Sequence, residues 1–118
     1  MNEMKVSLGE ESLEKLIAHM RKTGDLLGQT TTSLDLLESK TKELESQAFL
    51  RSEGTIKDKE HLARTCSNVV ENNAKIAQLR GEIQQLRWSL KISEIECDLF
   101  RSVNSNKRLE RKLYEHLS

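Results

Sequence analysis

Apolar residues recur alternately three and four positions apart from Leu13 to Phe100, in one heptad register. With Leu13 at position a, the a series continues through Met20, Leu27, Leu34, Thr41, Ala48 and Thr55 to Leu62, Val69, Ile76, Ile83, Leu90 and Cys97. The d series holds Leu16, Leu37, Leu44, Leu79, Leu86 and Phe100, interrupted by Thr23, Thr30, Arg51, Asp58, Thr65, Asn72 and Ser93. This spacing draws a narrow stripe along an α-helix, and only another helix can cover it. With no proline anywhere in the chain, the pattern predicts an all-α fold: an elongated coiled coil or helical hairpin with a long C-terminal helix.

Punctuation along the chain divides it further. Residues 1–9 read as a flexible N-terminus, with Ser7 and Glu10 spaced as a capping box for the first helix. Residues 10–50 form a first amphipathic arm, weakened by Gly24, Gly28 and the run Thr30-Thr31-Thr32, with a break near 28–32 as the alternative. Residues 51–58 are a hinge or turn, because Arg51, Thr55 and Asp58 leave the seam nothing apolar there. Gly54 suits a helix end, and Thr55 with Asp58 three residues on suits a new start. The unchanged heptad phase across this stretch favours a continuous rod; two arms able to cover each other favour a hairpin, which is the preferred reading. Residues 59–117 are predicted as one uninterrupted coiled-coil helix whose seam is Leu62, Val69, Ile76, Leu79, Ile83, Leu86, Leu90 and Phe100. That helix is longer than the first arm and must overhang it.

A second stripe then appears on the same helix. Trp88, Ile92, Ile95 and Leu99 follow one another at spacings of 4, 3 and 4, which are positions f and c, pointing away from the a/d seam. Beyond Phe100 the a/d line turns polar at Asn104, Lys107 and Arg111, while Leu109 and Leu113 continue the f/c line. Heptad drift is only about 20° per repeat, too little to carry one stripe to the opposite face within two turns. These are two faces. Trp88 is either a core aromatic of a larger bundle or the anchor of a second subunit, and aromatic anchors commonly dominate helix-groove binding. The outer face Trp88, Ile92, Ile95 and Leu99 is the candidate partner-binding site.

The seam also bears on pairing geometry. Val69, Ile76 and Ile83 at a, with Leu79 and Leu86 at d, match the preference of parallel dimers. Lys40–Glu45, Glu82–Arg87 and Glu96–Arg101 would attract across such a dimer, whereas Lys75–Arg80 would repel. Asn72 would bury a polar amide in the seam. Those two misfits favour a non-identical partner that can satisfy them.

Composition removes most other classes. Nineteen basic and nineteen acidic residues leave no net charge, so the chain lacks the field that non-specific nucleic-acid binding requires. The basic cluster Lys107, Arg108, Arg111 and Lys112 follows the heptads, whereas a zipper-type DNA reader needs its basic helix before them. No apolar run approaches the roughly 20 residues of a membrane span. His19, His61 and His116 are scattered without metal-site spacing, and no phosphate loop or nucleophile elbow occurs. The sequence therefore predicts no enzyme, no catalytic or metal residue and no cofactor. The opening residues lack a secretory apolar run, and Cys66 and Cys97 read as reduced thiols, which points to a cytoplasmic location, cytoskeleton-associated or nuclear.

In composition alone the chain resembles small coiled-coil subunits of cytoskeletal, centrosomal, kinetochore and trafficking assemblies, and it carries no family motif. The expected function is a non-enzymatic scaffold or adaptor working by helix pairing, as a homo- or hetero-oligomer with itself or other coiled-coil proteins, away from membranes. The alternative is a zipper-type regulator binding nucleic acid or a transcription factor.

Overall fold

A computed structural model describes residues 10–117, all but a few of them in α1 (Glu10–Arg51), α2 (Ile56–Thr65) and α3 (Ser67–Leu117). The Ser7 capping box lies outside the described residues. The fold is all-α, and its helices divide between two compact units. One unit is Leu26–Leu86; the other joins the chain up to Asp25 with the chain from Arg87 onward.

Within Leu26–Leu86 the chain forms a helical hairpin. α1 ends at Arg51, and the Ser52 amide and hydroxyl both donate to the Ala48 carbonyl, at 3.1 and 2.6 Å. Gly54 then takes φ +114°, a conformation that side-chain-bearing residues rarely adopt. Thr55 caps α2: its hydroxyl accepts the Asp58 amide at 3.2 Å, and the Asp58 carboxylate accepts the Thr55 amide at 3.3 Å. Two reciprocal bonds thus satisfy donors that a helix start leaves unpaired. The ammonium of Lys59 lies 5.7 Å from the centre of the Phe49 ring, tying α2 to the end of α1.

The glycine- and threonine-rich stretch of α1 stays helical throughout; no break interrupts residues 28–32. The hydroxyls explain it. Thr30, Thr31 and Thr32 donate to the carbonyls of Leu26, Leu27 and Gly28 at 2.7, 2.8 and 3.1 Å. Hydroxyls bonded back into their own helix need no alternative backbone conformation.

The predicted uninterrupted helix from 59 to 117 is, by contrast, broken at Cys66, whose φ −57° and ψ 136° end α2. The Cys66 carbonyl accepts the Val70 amide and so opens α3. Thr65-Cys66-Ser67-Asn68 is a run of weak helix formers, and nothing near the turn binds it to the heptad phase. The break turns α2 so that Ala63 is buried and Leu62 is 49% exposed, which removes Leu62 from the seam. Ala63 lines an open groove with Phe49 and Leu50 of α1.

From Val69 onward the hairpin closes in an antiparallel register. Asn72 Nδ2 donates to the Leu37 carbonyl at 2.8 Å and to the Thr41 hydroxyl, and Thr41 in turn donates to the same carbonyl at 3.0 Å. Further along the hairpin, Arg80 meets Glu38 at 3.0 Å, an e-to-e contact that antiparallel helices make. In this register each a faces a d, so Thr41 lies opposite Asn72, Leu37 opposite Ile76, and Thr30 opposite Ile83. Val69, Ile76 and Ile83 are buried, each worth about 1.5–3 kcal/mol. The Glu38–Arg80 pair is exposed and worth about 1 kcal/mol or less. Apolar burial holds the hairpin; the polar layer sets its register.

The two glycine settings predict opposite outcomes in denaturant unfolding. Gly28→Ala meets no neighbour within 4 Å and should stabilise the chain by about 0.5–1 kcal/mol. Gly54→Ala places a Cβ 3.1 Å from Asp58 Oδ2 at a positive φ and should cost about 1–2 kcal/mol.

Candidate protein-interaction face

The candidate site lies in the other unit, where the start of α1 packs on α3 beyond Arg87. The two segments are antiparallel here also. His19 Nε2 is 3.3 Å from Ser89 Oγ, a g-to-g contact, and Cys97 Sγ lies 3.8 Å from Met20 Sδ. The same a-to-d pairing sets Leu13 against Phe100, Met20 against Ser93 and Thr23 against Leu90. Phe100, Ser93 and Thr23 are buried, and Leu90 and Cys97 half-buried. A bulky residue faces a small one in the Met20–Ser93 and Thr23–Leu90 layers, which lets the helices approach without voids. The polar d positions Thr23 and Ser93 are therefore spacers in this seam.

With its a/d face covered, α3 presents the f/c stripe outward. Trp88 is 67% exposed, Ile92 43%, Ile95 57% and Leu99 53%. Trp88 is thus no core aromatic of this chain. Leu109 and Leu113 lie on the same line and are exposed too. The structure brings these side chains onto one side of one helix, opposite the seam residues Leu86, Leu90 and Phe100. Of the other seam positions, Leu79 is half-buried and Val69, Ile76 and Ile83 are buried, all in the hairpin unit.

The two stripes differ in length. The a/d face of α3 turns polar after Phe100, at Asn104, Lys107 and Arg111, and every residue from 105 to 117 is exposed. The outer face keeps its leucines to Leu113. The basic cluster Lys107, Arg108, Arg111 and Lys112 is exposed and lies mostly on faces other than the outer stripe, where solvent accommodates it.

Arg80 pairs with Glu38 of its own chain. Asn72 likewise finds its acceptors on the first arm. The non-identical partner that these two residues call for is α1 itself.

Other chemistry is sparse. Among the described residues no group of three or more His, Cys, Asp or Glu is placed to hold a metal ion, and no helix is long and apolar enough to cross a membrane. A groove between Leu13, Ile17 and Met20 of α1 and Cys97, Phe100 and Asn104 of α3 is open and flanks the end of the seam. Comparison with protein-family models, curated proteins and solved structures finds no match for the chain.

The separation of faces predicts separable mutant effects in circular dichroism. Ile83→Asp buries an unpaired carboxylate in the seam and should abolish most helical signal at ambient temperature. Trp88→Ala with Ile95→Ala removes exposed side chains only and should leave that signal within a few per cent of the parent.

Proposed function

We propose that this chain is a non-enzymatic coiled-coil subunit, structural or adaptor in role, that enters a larger assembly by pairing the outer face of α3 with another helix. The observation that carries this reading is that the apolar f/c stripe stays exposed and continues to Leu113 after the intrachain seam has ended at Phe100. An apolar stripe of this length is costly to leave in water, and soluble chains seldom expose one without a partner. Trp88 supplies the large rigid anchor, and Ile92, Ile95 and Leu99 supply the knobs of a helix–helix contact.

A subunit of this design links components by shape. Its a/d seam pairs the two arms of the chain, and its outer seam makes the attachment. Cytoskeletal, centrosomal, kinetochore and trafficking assemblies use such parts, and a cytoplasmic setting suits two unpaired thiols, Cys66 and Cys97.

The test is recovery of helical partners, a second copy of the chain included, by tagged parent and tagged Trp88→Ala/Ile95→Ala chains expressed in cells. Recovery should fall at least tenfold with the double variant. Equal recovery by both chains would sink the proposal. Steeply salt-sensitive binding to DNA, undiminished in the double variant, would point instead to a zipper-type regulator.

A further inference from the structure

We infer that the occupant of the outer face is a second copy of this chain, docked parallel and in register through residues 88–113 of α3. This rests on the reading of the outer face as a pairing surface and names its partner.

The outer stripe is itself a heptad seam. Taking Ile92 as its first a position, the a line is Ile92, Leu99, Asn106 and Leu113, and the d line is Trp88, Ile95, Ser102 and Leu109. All eight residues are exposed. The line spans between three and four heptads, apolar in every layer but those of Ser102 and Asn106. The first arm does not obstruct this seam, because the f/c line lies nearly opposite the a/d line that α1 covers.

Charge selects the partner and its direction. The new seam is flanked on one side by Lys91, Asp98, Ser105 and Lys112, and on the other by Glu82, Ser89, Glu96, Val103 and Glu110. In a parallel, in-register pair of identical chains, each flank residue meets the one five positions on in the other chain. Lys91 then meets Glu96 twice, once from each chain. The remaining pairs, Asp98 with Val103, Ser105 with Glu110 and Lys112 with Leu117, contain no like charges. In the antiparallel register that overlaps the same stripe, Glu96 meets Glu110 twice and Asp98 meets its own copy. Like charges placed there destabilise the pair.

Asn106 gives the same answer independently. In the parallel dimer it faces its own copy across the seam, where two amides can bond to each other. A lone Asn at an a position is the recognised device for fixing a parallel two-stranded register. In the antiparallel register Asn106 would face Ile95 and lose its partner, at the desolvation cost of an unsatisfied amide. Ser102 is small enough to sit in the neighbouring layer. A self-pair therefore gives the Asn106 amide a partner that this chain already carries.

The experiment uses the purified full chain alone. Sedimentation equilibrium or light scattering should give twice the 13.6 kDa chain mass at micromolar concentration. The Trp88→Ala/Ile95→Ala chain should be monomeric with its helicity retained. Orientation is read by Leu109→Cys in a Cys66→Ser/Cys97→Ala background of confirmed helicity, because in the antiparallel register the two copies of residue 109 would lie about 25 Å apart along the seam. Parallel d positions bring the two thiols within disulfide reach, so mild oxidation should give a covalent dimer in high yield.

A chain that stays at 13.6 kDa overturns the self-pair; the outer-face reading then stands or falls on recovery of another partner. A dimer that survives the double substitution, or one that gives no Leu109→Cys cross-link, overturns this inference as well. Loss of helicity in the double variant overturns both, because the stripe would then belong to the chain's own core.

Discussion

The amide of Asn72 anchors the hairpin's register. It sits in the buried seam and donates to the Leu37 carbonyl and the Thr41 hydroxyl. Sliding the arms by one heptad would place it opposite Leu34 or Ala48 and leave its donors without these acceptors. An unsatisfied buried amide costs about 1–3 kcal/mol, a large fraction of the stability of a small domain. Apolar side chains supply most of the attraction between the arms but tolerate several registers. The polar layer selects one.

Once that register is fixed, the rest of the architecture follows from what faces what. Thr30 accommodates Ile83, Ser93 accommodates Met20, and Thr23 accommodates Leu90, so residues that look like defects in a leucine seam act as its spacers. The turn at Gly54 and the Thr55–Asp58 cap return the chain at the right point. With the a/d face of α3 used internally, the apolar f/c face is left exposed.

Much of this was legible in the residues, for identifiable reasons. Heptad spacing reports which side chains share a face, so the all-α fold, the seam and the outer stripe at Trp88, Ile92, Ile95 and Leu99 could be read directly. Gly54 and the Thr55–Asp58 pair marked the turn because their backbone chemistry is local. Orientation was harder, since a and d letters are the same for parallel and antiparallel partners; the β-branched a positions pointed to a parallel dimer, and only Asn72 and Lys75 argued otherwise. Two local readings needed the structure. The threonines at 30–32 are weak helix formers on average, but their hydroxyls bond back to the preceding turn and α1 passes through. Thr65-Cys66-Ser67, which carries no glycine or proline, breaks the helix because the polar seam near the turn leaves the heptad phase unenforced, and Leu62 rotates outward as a result. The weak helix propensity of that run was the available signal.

The account depends most on the main seam being closed within one chain. Spin labels on Ser33 and Lys75, which the register places on facing edges of the hairpin, report this directly through their separation. Helices packed about 8–10 Å apart should give a short, narrow distance distribution. That distribution should persist unchanged when doubly labelled chains are diluted into a large excess of unlabelled ones. A short distance that disappears on dilution would show that the seam is made between chains, and the intrachain hairpin would be contradicted.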